Sequence, residues 1–309
     1  MDLNQASSIS MIERYKRGAF PADGLILPFT MILLIIGIFN YNRLGQPYIW
    51  ISTDFGIIIL LWMLISRDKR EDRRLYYWLH FLWPIIAIGF LYSQCTAWDN
   101  LIFPHTFDPL LKKWDHALWG FSLNKVMAPT INRLWVDELM HAFYFSYYLM
   151  LFLPVSWLFW HRQSQAFEIV FSLSLMIYSH LLFFMIFPGD GPISDRSDLF
   201  GRGVVFIPLM NFIYRLSDQG GGGAFPSTHV SSVVLIFLYF SKYFPKMRLP
   251  FGIGCLGIII ATVYCSYHYS IDAIAGVLTG TIFYFIGQYV YAHRFNPATH
   301  SFFAMQQSA

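Results

Sequence analysis

Charge is scarce in this chain: acidic and basic side chains make up 13% of its 309 residues, against 56% that are hydrophobic. So many apolar side chains exceed what a water-soluble core of this size encloses, which argues against an ordinary soluble protein and for a bilayer. A massed basic surface is also missing. The net charge of +3 is spread over short loops, so nucleic acid is not the expected partner. Cysteine is sparse, and Cys95, Cys255 and Cys265 show neither metal-ligand spacing nor a disulfide framework. Their odd number leaves at least one thiol without a partner in the chain. No internal repeat is evident, and the only low-complexity patch runs from Gly220 to Gly223. The polar start carries Arg14, Lys16 and Arg17, and no small-residue cleavage site follows, so the first apolar stretch is expected to remain as a span.

What is abundant is apolar sequence in runs of membrane length. A hydrocarbon core about 30 Å thick takes roughly 20 apolar residues as helix. Such runs lie near 24–40, 49–66, 76–93, 136–160, 165–187, 227–244, 250–268 and 271–292, predicting an all-α polytopic membrane helix bundle of about eight transmembrane helices. Lys and Arg favour cytoplasmic loops. With the N-terminus inside, cytoplasmic segments hold Arg14, Lys16, Arg17, Arg67, Lys69, Arg70, Arg73, Arg74, Arg162, Lys242, Lys246, Arg248 and Arg294, thirteen of the twenty-one basic residues. Both termini are then cytoplasmic, and the two long segments near 94–135 and 188–226 lie outside. The first interleaves Trp98, Phe103, Phe107, Trp114 and Trp119 with charges, the pattern of short helices at the headgroup level. One membrane domain over 1–309 is the simplest division, with a catalytic helix core over about 165–292 and an interfacial outer segment over about 94–135.

Two short stretches carry the chemistry. Gly220-Gly-Gly-Gly-Ala-Phe-Pro-Ser-Thr-His229 runs straight into an apolar helix. Glycines through Gly223 let the backbone curl N–H groups toward an anion, Pro226 suits a first helical turn, and Ser227 and Thr228 add hydroxyl donors at a helix start that favours phosphate. The same residues also read as an ordinary capped glycine-rich loop. Downstream, Ser266-Tyr-His-Tyr-Ser-Ile-Asp272 sets His268 and Asp272 four apart, on one face if the segment is helical. The carboxylate could then fix the tautomer of the imidazole and leave its other nitrogen to attack. The descent from His229 to Pro245 and the climb from Pro250 to His268 differ by roughly one helical turn, so both histidines return to one level. A nucleophilic His held by an Asp, a second His to protonate the leaving oxygen and a helix start to hold phosphoryl oxygens make a complete phosphoryl-transfer site.

These residues resemble the type 2 phosphatidic acid phosphatase superfamily, whose members include inositol phosphorylceramide synthase and vanadium haloperoxidases. Pro226-Ser-Thr-His229 stands at the family's Pro-Ser-Gly-His motif, and His268-x-x-x-Asp272 at its final His-x-x-x-Asp motif. The resemblance implies a phosphohistidine on His268, an orienting Asp272, a general acid in His229, and no metal or other cofactor. Two features depart from the phosphatase pattern. No Arg-Pro pair occurs, and Ala261 and Thr262 stand where a Ser-Arg pair is expected. The synthase branch is similar in its Pro-containing outer segment, here Phe187-Pro-Gly-Asp-Gly-Pro192. Arg196 and Arg202 are the best candidates for a phosphate clamp, with Lys112, Lys113 and Arg215 behind them; each also reads as a headgroup-facing cation.

His141, on an aromatic-rich helix, and His180 read as packing residues, while His80 has no partner at useful spacing. The leading expectation is a hydrolase of a lipid phosphate, with the bilayer as its environment. The alternative is a phosphotransferase that moves a phospho-alcohol headgroup to a lipid or polyol acceptor. A transporter or channel is the reading from another class; it predicts ionisable residues at mid-membrane, whereas Asp54, Asp137, Glu138 and Glu168 fall toward span ends. The expected location is a bacterial plasma membrane, with the active site on the outer face.

Overall fold

In the computed structural model, residues 19–66, 74–161, 163–217 and 221–295 are described. Of the basic residues used to orient the chain, Arg14, Lys16, Arg17, Arg67, Lys69, Arg70, Arg73 and Arg162 lie outside them, as does Gly220. The main helices are α1 (Asp23–Phe39), α2 (Pro47–Ser66), α3 (Arg74–Ile86), α4 (Ile88–Ala97), α5 (Asp108–Trp119), α6 (Leu123–Ile131), α7 (Leu134–Trp160), α8 (Gln165–Ile186), α9 (Arg196–Leu199), α10 (Phe206–Ser217), α11 (Thr228–Tyr243), α12 (Arg248–Tyr264) and α13 (Ser270–Phe295). Among the described residues the only β feature is an isolated bridge between Gly189 and Gly223. The protein is an all-α polytopic membrane protein. A bilayer enforces this choice, because a helix satisfies its backbone polar groups internally where no water can.

Among the described residues, six helical stretches are long and apolar enough to cross a membrane: Pro47–Ser66, Leu75–Leu101, Leu134–Trp160, Gln165–Ile186, Pro245–Tyr264 and Ser270–Phe295. At the two other places where a span was expected the helices are shorter, 17 residues (α1) and 16 residues (α11), so six helices rather than eight reach membrane-spanning length among the described residues. α11 is bounded by Pro226 and Pro245, each of which limits helix continuation, and most of its side chains are buried. The expected short helices of the outer segments are α5, α6, α9 and α10.

Contacts divide the described residues into two compact units, one within 19–91, 152–178 and 283–295, the other within 92–151 and 179–282. The first is held by aromatic packing, with Phe81 stacked on Phe159 at 4.8 Å and Phe29 on Tyr178 at 4.8 Å. His80 has a partner after all: its Nε2 lies 2.9 Å from Asp23 Oδ2 across 57 positions of sequence.

The second unit contains every candidate site residue. Its core gathers Tyr144, Phe200, Ile207, Met210, Ala261, Tyr264, Cys265 and Tyr267. Cys95, Cys255 and Cys265 are buried, and none is in a disulfide. α11 and α13 approach closely through small residues, the usual solution where lipid offers no hydrophobic drive for helix pairing. A Cβ on Gly280 would fall 2.5 Å from the Ser231 carbonyl oxygen, and Ser231 Oγ lies 2.9 Å from Thr279 Oγ1 across the same contact.

The Gly280→Ala substitution is therefore expected to destabilise the protein by about 1–3 kcal/mol through overpacking. Gly56→Ala on α2, where nothing lies within 4 Å of the added carbon, should be neutral or stabilising. Thermal unfolding of both variants in detergent checks the contrast.

Candidate active site

The Pro-Ser-Thr-His segment is shaped by the start of α11. Ser227 is the N-cap, in extended conformation, with its Oγ 3.4 Å from the Val230 amide. Its own N–H donates to the Asp272 carbonyl at 3.1 Å, which ties the His229 segment to the start of α13. Thr228 Oγ1 lies 3.1 Å from His180 Nδ1. Both hydroxyls proposed from sequence to meet phosphate thus have protein partners. The amides of Thr228 and His229, first in the helix, have no intrahelical acceptor and stand at the positive end of its dipole.

His268 is not on a helix. After α12 ends, Ser266 takes a left-handed φ of 54°, and the Thr262 carbonyl accepts both the Tyr267 and His268 amides, at 3.1 and 3.0 Å. The sequence-based helical spacing of His268 and Asp272 is corrected to a turn followed by a first helical turn. The pair still meets, because Asp272 sits three residues into α13 and reaches back: its Oδ2 accepts the Tyr269 N–H at 2.9 Å, as in half of a capping box. The same Oδ2 is 3.5 Å from His268 Nδ1, an ion-pair distance that falls short of a hydrogen bond and leaves Nδ1 without a hydrogen-bond partner among the described residues. Both side chains are buried. Nδ1 faces the carboxylate, and Nε2 has no partner among the described residues. The rings of His229 and His268 lie 5.7 Å apart, inclined at 62°.

The glycine loop differs from its expected role. Gly222 N–H donates to Asp190 Oδ1 at 2.9 Å and Ala224 N–H to the Gly189 carbonyl at 2.9 Å, so these amides serve a protein carboxylate and the bridge to Gly189. Gly222 holds φ at +90°, and a Cβ there would meet Asp99 Oδ2 at 2.3 Å, which only glycine accommodates. The Asp108 carboxylate accepts the Asp190 and Gly191 amides at 2.8 and 2.9 Å. Burial, then the neighbouring Asp108, raises Asp190 above the ordinary carboxylate value. Asp108 and Asp190 border a cavity of ≈ 470 Å³ with Thr106, Lys112, Ser194 and Tyr269.

The arginines divide. Arg196 is buried and packs its guanidinium 3.7 Å above the Tyr267 ring. It donates to the Cys265 carbonyl and lies 3.2 Å from Asn211 Oδ1 and 3.3 Å from His141 Nε2. This cation braces the turn that carries His268 from behind, and His141 is a packing histidine beside it. Arg202 is exposed, and lines a separate recess with Arg215, Asn211 and Phe212 that includes neither His229 nor His268. Lys113 is exposed. Among the described residues no group of three His, Cys, Asp or Glu side chains converges as a metal ion would require.

Two contributors were not legible in the sequence. Tyr144 Oη lies 3.1 Å from His229 Nε2, from a position 85 residues away. Asp115, on α5, uses Oδ1 to accept the Ser270 amide at 2.8 Å and the Ser270 hydroxyl, and lies 3.3 Å from the Ile271 amide. It thereby places an anion at the start of α13, where the dipole favours one. Asp115→Ala should cost about 1–3 kcal/mol by leaving buried donors without an acceptor. Denaturant or thermal unfolding in detergent measures that loss, and turnover should fall with it, since Asp272 shares the affected turn.

No curated protein matches this chain, and no solved structure matches it. Residues 109–286 match the profile of the PAP2 superfamily, a stretch that contains Arg196, Arg202, Ser227, Thr228, His229, His268 and Asp272. With more than half of its length matched, this polytopic membrane chain belongs to the PAP2 superfamily, a group made up in general of phosphatases.

Proposed function

We propose that the protein cleaves a phosphate ester of a membrane lipid through a covalent phosphohistidine. The observation that carries this reading is the pairing of His229 and His268, 5.7 Å apart, with Asp272 behind His268 Nδ1. In the proposed sequence His268 Nε2 attacks phosphorus, the ester P–O bond breaks, and His229 gives its proton to the departing alcohol. Water then attacks the phosphohistidine, its proton returns to His229, and the P–N bond breaks to release phosphate. Asp272 would hold the attacking tautomer and stabilise positive charge on His268. The Thr228 and His229 amides at the α11 dipole would take phosphoryl oxygens, the part assigned from sequence to Ser227, Thr228 and Gly223. No step calls for a metal ion or other cofactor. Arg196 would add positive charge from behind Tyr267, and Arg202 would meet the lipid headgroup from its exposed position.

A second reading is transfer, in which an alcohol replaces water, as in the inositol phosphorylceramide synthase branch. What favours it is the cavity beside Tyr269, lined by Asp108, Asp190, Thr106 and Ser194, since carboxylates and hydroxyls there suit hydroxyl groups better than a phosphate. In either case the site would open at the outer headgroup level of a bacterial plasma membrane, with both termini cytoplasmic and the 94–135 segment lying at the interface. One membrane domain would then span the chain, its catalytic core over about 165–292.

The test uses the full-length protein in detergent, given lipid phosphates with and without alcohol acceptors, with inorganic phosphate and new lipid species both measured. His268→Ala and His229→Ala should abolish activity, and Asp272→Asn should lower it by orders of magnitude. Wild-type turnover by His268→Ala would overturn the mechanism. Phosphate release by the wild type alone marks hydrolysis, whereas an acceptor-dependent phosphodiester without phosphate marks transfer.

A further inference from the structure

Tyr144 sits within α7, a helix that contributes nothing to either sequence motif, yet its fully buried side chain meets the site directly. Its Oη is 3.1 Å from His229 Nε2 and 2.7 Å from Tyr214 Oη. Its ring stacks on His229 at 4.9 Å and on Tyr267 at 3.9 Å, and Tyr267 in turn stacks on Tyr214 at 4.7 Å. A buried phenol needs hydrogen-bond partners, and this one has two. An imidazole offers only two nitrogens. With Nε2 engaged by Tyr144, the nitrogen of His229 left for chemistry is Nδ1, which has no protein partner among the described residues.

We propose that Tyr144, backed by Tyr214, is a positioning residue that keeps a hydrogen on His229 Nε2 and so confines acid–base chemistry to Nδ1. The proposal rests on the reading of His229 as general acid. Tyr144 Oη accepts from Nε2–H and donates its own hydrogen to Tyr214 Oη. Nδ1 gives its proton to the leaving oxygen as the P–O bond breaks, and its lone pair later takes a proton from the attacking water as the P–N bond breaks. Nε2 stays protonated through the whole cycle, and no phenolate forms. Burial, reinforced by Tyr267, holds the Tyr214 hydroxyl protonated far above its ordinary range, consistent with a neutral chain of donors and acceptors. Without Tyr144 Oη, the Nε2–H loses its acceptor, so the protonated ring that must deliver its proton from Nδ1 is less stabilised and less well aimed at the leaving oxygen, and the neutral ring is free to carry its proton on Nδ1, where it could not then act as the base.

The test compares Tyr144→Phe with wild type in full-length protein, using two esters that differ in leaving group. One is an alkyl phosphate, whose departing alkoxide needs a proton, and the other is p-nitrophenyl phosphate, whose phenolate does not. Alcohol release is read in single turnover, so only the P–O cleavage step counts. Tyr144→Phe should slow the alkyl ester by about 10- to 100-fold, part of the 10²–10⁴ typical of a general acid, and change the p-nitrophenyl ester less than about twofold, with substrate affinity unaltered. Tyr214→Phe should give the same pattern with a smaller effect. Equal losses on both esters would make Tyr144 merely structural, and no loss on either would make it idle; both results overturn the proposal. His229→Ala separates it from the reading beneath it. If that variant shows the leaving-group pattern and Tyr144→Phe does not, only the proposal fails, whereas absence of the pattern in His229→Ala, or of wild-type cleavage of both esters, removes the general acid itself.

Discussion

The close contact between the start of α11 and the start of α13 is the constraint on which the site depends. One backbone hydrogen bond, from the Ser227 amide to the Asp272 carbonyl, and the bare approach of Gly280 to Ser231 bring two segments distant in sequence into register. Polar side chains alone could not hold this geometry, since each has too much rotational freedom. Backbone against backbone is stiff, and it passes that stiffness to His229 on one side and Asp272 on the other. The remaining supports, His180 on Thr228, Asp115 at the Ser270 amide and Arg196 under Tyr267, each pin one element of that same junction.

Much of this was readable from the chain. Membrane helices announce themselves through long apolar runs, because a bilayer leaves the backbone few alternatives, and the helices lie where those runs predicted, although six rather than eight are of membrane-spanning length among the described residues. The two motifs were legible for a similar reason: each is local, and a helical hairpin of nearly equal legs returns its ends to one level. The details of His268 escaped because i, i+4 spacing looks the same whether four residues lie on a helix or across a turn and the first turn that follows. Here the left-handed Ser266 and the shared Thr262 carbonyl decide for the turn.

Long-range partners left no trace in spacing. Tyr144 lay in an aromatic run whose commonest use is packing, and nothing in Phe143-Tyr144-Phe145 marks the one phenol that reaches an imidazole. The glycine loop was read as an anion cradle because flexible amides suit one, but a carboxylate of the same chain, Asp190, occupies Gly222 N–H. Arg196 illustrates the same limit: as a cation near a phosphoryl-transfer motif it suggested a clamp, whereas its neighbours Tyr267, Asn211 and the Cys265 carbonyl hold it beneath the turn.

Asp115 joins the 94–135 segment to the start of α13 by carboxylate-to-amide bonds across 155 residues of sequence. The segment that would, on the proposed reading, shape access to the lipid therefore also supplies the anchor of the helix that carries Asp272. Divergence in the first is chemically coupled to the second: a lineage could not exchange its outer segment for one with another preference unless the newcomer also brought an anion to the same helix end. Replacing the 94–135 segment would thus disturb the start of α13 as well, unless the replacement carried an anion in the place of Asp115.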